Sequence, residues 1–377
     1  MQYWRVLGVL VVFLVTGCSQ LNKASDYITN PSAKAIYKRD LNVSDTLFSL
    51  WENQVELALN DSVQVEVPYA EKGVFLPRTF PVYSYEIGLS PGELFTFEVK
   101  TDSIKDLVFI DIYRKAGDSL SRYIKVESAD FGKKAIHFEA PSKGEYKVVL
   151  QPAIEANSAF LLKMIKTPVY LFPVASGSNS SIQSFWGDQR DGGARSHEGI
   201  DIFAKRGTPV LAATSGRVTY TGEKGLGGKQ VWLRDSRRRQ SLYYAHLDSI
   251  KPLAATVNAG DTLGFVGNTG NARTTPPHLH FGIYRNFEGA INPMNYVFQP
   301  KKLEEDEFLT SAIPHKTLTK AVQANLRNKP TTSNSRIIGS SKASDTLQIL
   351  GKSEDWYHVR TSQKKASFIH QSLVTPI

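Results

Sequence analysis

Residues 260–284 read GDTLGFVGNTGNARTTPPHLHFGIY and contain the pattern on which the interpretation of the fold depends. The two prolines favour an extended backbone, and apolar side chains then alternate with His278 and His280. Residues two apart in a strand point to the same face. We therefore expect both imidazoles on one face, with the intervening Leu279 facing the core. Such a pair suits a metal site with a neighbouring proton donor, although an HxH sequence also arises by chance.

Further metal-ligating residues occur upstream, where residues 197–201 read HEGID. Zinc in hydrolytic sites takes three protein ligands and leaves one position for water. His197, Asp201 and His280 meet that number. A helical zincin motif with Glu198 as general base would need a second histidine where this chain has Asp201. Nearby glycines, including Gly199, also disfavour a long helix, so we reject the zincin alternative.

A third motif, YYAHL at residues 243–247, adds His246. The three motifs, in this order between residues 184 and 284, closely resemble the lysostaphin-type zinc metallopeptidases. These are peptidoglycan endopeptidases with the duplicated hybrid motif fold. The resemblance implies that His197, Asp201 and His280 bind Zn²⁺, and that His246 and His278 are catalytic histidines outside the metal shell. Many relatives have a small residue where this chain has Pro277. Which of the two catalytic histidines acts as the base stays open.

The N-terminus reads MQYWRVLGVLVVFLVTGCSQ, with Arg5 before an apolar run over residues 6–15 and Cys18 after small residues. The run is short for a membrane span but typical of a signal sequence. It resembles a bacterial lipoprotein signal, which implies cleavage before Cys18, lipidation of that cysteine and a membrane-anchored location in the cell envelope. An ordinary signal peptide with a leftover thiol is the alternative. The chain has one cysteine, which excludes an internal disulfide.

The remaining pattern predicts a mainly β protein. Residues 44–59 suggest an amphipathic helix with Ser44 as its N-cap and one apolar stripe that includes Leu50. Short alternating runs, beginning with VQVEV at residues 63–67, predict an antiparallel β-sandwich of unknown role. The expected segments are a signal peptide (1–17), a tether with a helix (18–61), the β-sandwich (62–166), a β-sheet peptidase domain (167–299), a linker (300–315) and a small SH3-like barrel (316–377).

The last segment resembles bacterial SH3-like domains, on the motifs WYHV at residues 356–359 and FIH at 368–370. This resemblance implies binding of cell-wall peptide. Ser367 replaces the glycine usual at that position. Trp356 is expected in the core rather than in a binding groove. His315, His358 and His370 have no spacing that suggests a metal site.

Charge and motifs together favour one function over its alternatives. The chain has 45 Lys+Arg against 36 Asp+Glu, a net charge of +9, which suits an anionic wall. No nucleic-acid recognition motif accompanies it, and we predict no nucleic-acid partner. Arg237, Arg238 and Arg239 are expected at a solvated hairpin tip, with contact to wall polymer as the alternative. The leading hypothesis is a zinc endopeptidase acting on peptidoglycan peptides, and the alternative is a non-catalytic wall-binding scaffold or activator of another hydrolase.

Overall fold

The computed structural model describes residues 26–41, 43–117, 122–301, 303 and 313–377. The signal-like segment with Cys18 and most of the predicted linker lie outside the described residues. Within the described ranges, no helix combines the length and apolar character needed to cross a membrane.

Helices near the N-terminus pack against the outer face of the β-sandwich. They are α1 (Ala33–Leu41), α2 (Asp45–Glu52) and α3 (Gln54–Leu59). The Ser44 hydroxyl accepts a hydrogen bond at the start of α2, so the predicted N-cap is confirmed. The single predicted helix is wrong, because Asn53 separates α2 from α3. Leu50 is also half exposed rather than buried. Trp51 is fully buried, and its indole N–H donates to the carbonyl of Pro152 (2.8 Å).

The β-sandwich is present as predicted, with two antiparallel sheets around an aromatic-rich core. One sheet has the order β2-β7-β4-β5 and the other contains β1-β8-β3-β6. The strands are β1 (Tyr69–Phe75), β2 (Tyr83–Leu89), β3 (Glu93–Thr101), β4 (Val108–Lys115), β5 (Tyr123–Ser128), β6 (Ala135–Glu139), β7 (Gly144–Pro152) and β8 (Ser158–Pro168). The predicted strand at residues 63–67 is wrong. This segment forms only an isolated bridge between Gln64 and Glu86, while Val63 and Val65 are buried in the core.

The second domain places the histidine motifs on, or directly before, neighbouring strands of one sheet. Its strands are β9 (Ile182–Ser184), β10 (Gln189–Arg190), β11 (Arg195–Ser196), β12 (Ile200–Phe203), β13 (Pro209–Leu211), β14 (Gly216–Glu223), β15 (Lys229–Asp235), β16 (Gln240–Ile250), β17 (Thr256–Val257), β18 (Thr262–Val266), β19 (His278–Arg285) and β20 (Gly289–Ile291), followed by the short helix α4 (Met294–Val297). The sheet contains the order β15-β16-β19-β12. In its register His280 faces Asp201 on one side and Ala245 on the other, which brings all three motifs together.

The C-terminal barrel is joined to the β-sandwich rather than packed as a separate body. Its strands are β21 (Lys316–Thr319), β22 (Gln323–Arg327), β23 (Ile337–Lys342), β24 (Thr346–Ser353), β25 (Trp356–Arg360), β26 (Ala366–His370) and β27 (Val374–Pro376). β24 pairs with β1 of the sandwich at Lys72 and Lys352. Trp356 and Phe368 lie in the same apolar cluster as the sandwich core. The expectation that Trp356 is a core residue is confirmed.

Buried polar groups lie between these two parts of the molecule. Glu71 and His358 are both fully buried, and the His358 Nδ1 is 3.0 Å from Glu71 Oε1. The hydroxyls of Tyr69 and Tyr85 donate to Glu71 Oε2 at 2.6 and 2.9 Å. The pKa of each tyrosine is raised well above its usual value, mainly by burial and also by the charge of Glu71. No role for His358 is predicted from the sequence pattern, and the structure places it in this internal contact.

A second contact joins the histidine-bearing domain to the sandwich. The arginine-rich turn between β15 and β16 was expected to be solvated, and this is wrong for Arg238, whose side chain is only 14% exposed. The Arg238 guanidinium donates to both carboxylate oxygens of Glu139 (2.7 and 3.0 Å) and to Asp235 (3.0 Å). Arg237 also donates to Glu139. These two arginines are therefore occupied by carboxylates of the protein itself.

Candidate metal centre

His197, Asp201 and His280 converge on one point, as the sequence predicted. His197 Nε2, Asp201 Oδ1 and His280 Nδ1 form a triangle in which each pair of atoms is 3.0 Å apart. Among the described residues, one group of three or more His, Cys, Asp or Glu side chains has ligand atoms close enough to hold a metal ion, and it is this triangle. Two imidazole nitrogens and a carboxylate oxygen are donors that a transition-metal ion such as zinc accepts. The residues present therefore fit a metal.

Three of the histidines are oriented by hydrogen bonds from their Nδ1 atoms to backbone carbonyls. His197 Nδ1 donates to the carbonyl of Phe185 (2.8 Å), His246 Nδ1 to that of Thr269 (2.9 Å), and His278 Nδ1 to that of Pro276 (2.9 Å). A carbonyl only accepts, so the hydrogen of each neutral ring is at Nδ1. The Nε2 lone pair of each ring is consequently available to the site.

His246 and His278 lie beside the triangle without being part of it. Their ring centroids are 5.1 Å apart, and that of His246 is 5.9 Å from that of His280. His278 Nε2 is 4.0 Å from Asp201 Oδ1. The structure thus brings together all five residues that the family resemblance implied, three in the triangle and two next to it.

The protonation states of the cluster suit metal binding. Burial, with the neighbouring His280 and His278, lowers the pKa of His246 to about 4. Burial likewise lowers the pKa of His280. Burial raises the pKa of the Asp201 carboxyl, but the adjacent imidazoles of His197 and His280 outweigh this effect and hold the pKa far below its usual value. A carboxylate and neutral imidazoles are the forms in which these side chains bind metals.

Comparison with known protein families agrees with this geometry. Residues 195–293 match the profile of peptidase family M23, and residues 322–375 match that of the bacterial SH3 domain. Residues 195–293 belong to peptidase family M23. The M23 domain of this chain carries the triangle and both neighbouring histidines, and the SH3 match confirms the predicted C-terminal module.

Curated relatives match a little more than a third of the chain. The DD-carboxypeptidase/endopeptidase Mpg of Neisseria meningitidis serogroup B is 36% identical over 138 residues, which is 37% of this chain and 31% of that protein. The L-Ala–D-Glu endopeptidase of Bacillus subtilis is 37% identical over 152 residues, 35% of this chain and 46% of that protein. The chain thus spans less than half the length of either. The solved catalytic domain of lysostaphin from Staphylococcus simulans is 32% identical, with a TM-score of 0.28, and the match covers 30% of this chain and 89% of that one.

Gly199 is a site residue whose role the sequence did not reveal. A Cβ atom at this position would lie 2.7 Å from His280 Cε1 and 2.7 Å from the carbonyl oxygen of Phe281. Both distances are far below a van der Waals contact. The imidazole of His280 can occupy its place in the triangle only because residue 199 has no side chain. The sequence signal is the glycine between His197 and Asp201, which by itself indicates only that a helix is disfavoured there.

We expect Gly199→Ala to weaken metal binding by about 10–100-fold, the usual effect of disturbing the surroundings of a ligand. The added methyl group would push the His280 ring out of the triangle. Competition between the protein and a chelator for Zn²⁺ would measure the affinity. Gly88→Ala is the matched control, because a Cβ at Gly88 meets no atom within 4 Å. Equal affinity of Gly199→Ala and wild-type protein would show that the ring position is not limited by residue 199.

The five side chains of the site line an open groove of about 670 Å³ in the M23 domain. Tyr243 and Tyr284 line one part of it and Arg190 and Arg195 another. Glu198, which would be the general base in the rejected zincin alternative, accepts a hydrogen bond from the Tyr284 hydroxyl (3.4 Å). An open groove with both apolar and polar walls can admit an extended peptide segment of a larger polymer.

Proposed function

We propose that this protein is a zinc-dependent endopeptidase that hydrolyses peptide bonds in the stem peptides or cross-bridges of peptidoglycan, for remodelling of the cell wall. The observation that carries the proposal is the complete set of His197, Asp201 and His280 with His246 and His278 beside it. The names of the relatives, which include an L-Ala–D-Glu endopeptidase and lysostaphin, support the substrate class. A non-catalytic scaffold would not need all five side chains.

The chemistry divides between the metal and the protein. A bound zinc ion lowers the pKa of its water to about 7 and polarises a carbonyl oxygen. His246 and His278 have their Nδ1 hydrogens committed to backbone carbonyls, so each can accept a proton from water at Nε2. The imidazolium that forms can return the proton to the leaving amine nitrogen. Tyr243 and Tyr284 supply aromatic surface along which the peptide can lie.

Incubation of purified peptidoglycan with the purified protein tests this proposal. We expect soluble fragments to be released, release to stop when a chelator removes the metal, and release to resume when Zn²⁺ is added back. Binding of the wall without release of fragments, in the presence of Zn²⁺, would contradict the proposal and favour the scaffold alternative.

We further propose that the protein is anchored to a membrane in the cell envelope through lipidated Cys18. The lipoprotein-like sequence around this cysteine supports the anchor, and several acyl chains would hold the protein far more firmly than one. In cells that process such signals, we expect the wild-type protein in the membrane fraction. Cys18→Ala should either keep its uncleaved signal segment or appear in the soluble fraction. Mass spectrometry of the mature N-terminus would detect the acyl groups. An unmodified Cys18 thiol in the mature protein would overturn this proposal.

A further inference from the structure

Arg190 is not one of the five site residues, but its side chain contacts Asp201 of the triangle. It ends β10, which forms a short hairpin with β11 beside the groove. Its Nη2 donates to Asp201 Oδ2 at 2.9 Å and also contacts the Ser184 hydroxyl. The Arg190 side chain is one third exposed, and that of Asp201 is 11% exposed.

The two carboxylate oxygens of Asp201 therefore have different partners. Oδ1 lies 3.0 Å from both His197 Nε2 and His280 Nδ1, whereas Oδ2 is held by Arg190. The last torsion of an aspartate side chain is soft and roughly two-fold. A hydrogen bond to one oxygen therefore fixes the angle of the carboxylate and so directs the other oxygen at the histidines.

The turn that carries Arg190 also holds His197. The carbonyl of Phe185 accepts from the His197 ring, and the carbonyl of Asp188 accepts from its backbone N–H (2.8 Å). The Asp188 carboxylate in turn accepts from the Phe185 backbone N–H (2.7 Å) and the Ser184 hydroxyl (3.1 Å). One turn, residues 184–190, thus orients two of the three ligand side chains.

We propose that Arg190 is a positioning residue that keeps Oδ1 of Asp201 aimed at the two histidine nitrogens and keeps Oδ2 away from the metal. This inference rests on the proposed function, since it assumes that a metal binds at the triangle. A carboxylate free to rotate would lose part of its pre-organisation, or would present both oxygens and occupy the position that water needs. Arg190 prevents both outcomes by engaging Oδ2.

Metal affinity measured without substrate tests this role. Co²⁺ alone is the probe, titrated into the metal-free protein, and its visible absorption reports the number of ligands around it. We expect Arg190→Met to bind Co²⁺ about 10–100-fold more weakly, as is typical when a hydrogen-bonding partner of a ligand is lost. Its absorption should also change, because the carboxylate is no longer fixed. The Co²⁺ affinity of Arg190→Lys should lie between those of the wild type and Arg190→Met, since a lysine keeps the charge but not the planar fork of an arginine.

Arg217→Met is the matched control, because Arg217 lies exposed on β14 away from the groove lining, and we expect wild-type affinity and absorption. Thermal unfolding of the metal-free variants separates ligand positioning from folding, and we expect similar midpoints for all of them. If Arg190→Met does not fold, Arg190→Lys decides. Wild-type affinity and absorption in the folded Arg190 variants would overturn the inference. Wild-type protein that binds Co²⁺ but digests no wall would instead overturn the proposed endopeptidase activity and leave the role of Arg190 standing.

Discussion

Replacement of His246 by asparagine is expected to reduce hydrolysis of peptidoglycan by about 10²–10⁴-fold, the usual contribution of a general acid or base, while the metal stays bound. His246 lies outside the triangle, so its loss removes no ligand. It does remove the Nε2 lone pair that can receive a proton from water. Asparagine is preferred to alanine because residue 246 has a φ of 63°, a conformation that asparagine tolerates better than most residues.

Rate and metal content must be measured on the same preparation. We expect one metal ion per protein molecule in both wild type and His246→Asn, with only the rate changed. His137→Asn is the control, because His137 lies on β6 of the sandwich and hydrogen-bonds to Thr96 (3.0 Å), and it should keep the full rate. A wild-type rate in His246→Asn would remove His246 from the catalytic machinery.

Replacement of Glu71 by alanine is expected to lower the free energy of unfolding by about 3–5 kcal/mol, as is typical when one partner of a buried polar pair is removed. Glu71 accepts hydrogen bonds from Tyr69 and Tyr85 and faces His358, all without access to water. Its loss leaves three buried polar groups without their acceptor. It also leaves a cavity between the sandwich and the SH3 domain.

Chemical denaturation would measure this effect, with Glu66→Ala as the matched control. Glu66 pairs with Lys329 across the same boundary (3.1 Å), but its side chain is 78% exposed. An exposed ion pair contributes less than about 1 kcal/mol. Hydrogen exchange of the SH3 strands should increase in Glu71→Ala because this contact joins the two parts. Equal destabilisation by both substitutions would contradict the view that the buried network couples the SH3 domain to the sandwich.

The sequence was sufficient for the features that depend on local pattern. Alternation around residues 278–283 predicted a strand with both histidines on one face, and the structure has β19 with Leu279 and Phe281 fully buried. The five site residues were implied by the resemblance of three short motifs to a known peptidase family, and the structure places all five close together. Ser44 was recognisable as an N-cap because a cap needs only a polar side chain before an apolar helix.

The features that the sequence did not predict depend on contacts between residues distant in sequence, or on how closely neighbouring strands pack. Glu71 and His358 are 287 positions apart, and nothing local indicates that either one is buried. The same holds for Arg238 and Glu139, which are 99 positions apart. Gly199 matters because of a ring on the neighbouring strand. An arginine such as Arg190 carries no sequence signal that distinguishes a ligand-positioning role from a solvated one.

The masses of fragments released from purified peptidoglycan test the central claim most directly. An endopeptidase adds one water molecule for each peptide bond it cuts, and leaves the glycan bonds intact. The account predicts zinc-dependent products that carry a new amino group and a new carboxyl group within the stem peptide or cross-bridge. His246→Asn should release these products at the 10²–10⁴-fold lower rate, roughly, that loss of a general acid or base causes. Fragments cut only in the glycan, or peptide products that persist unchanged in a chelator, would contradict it.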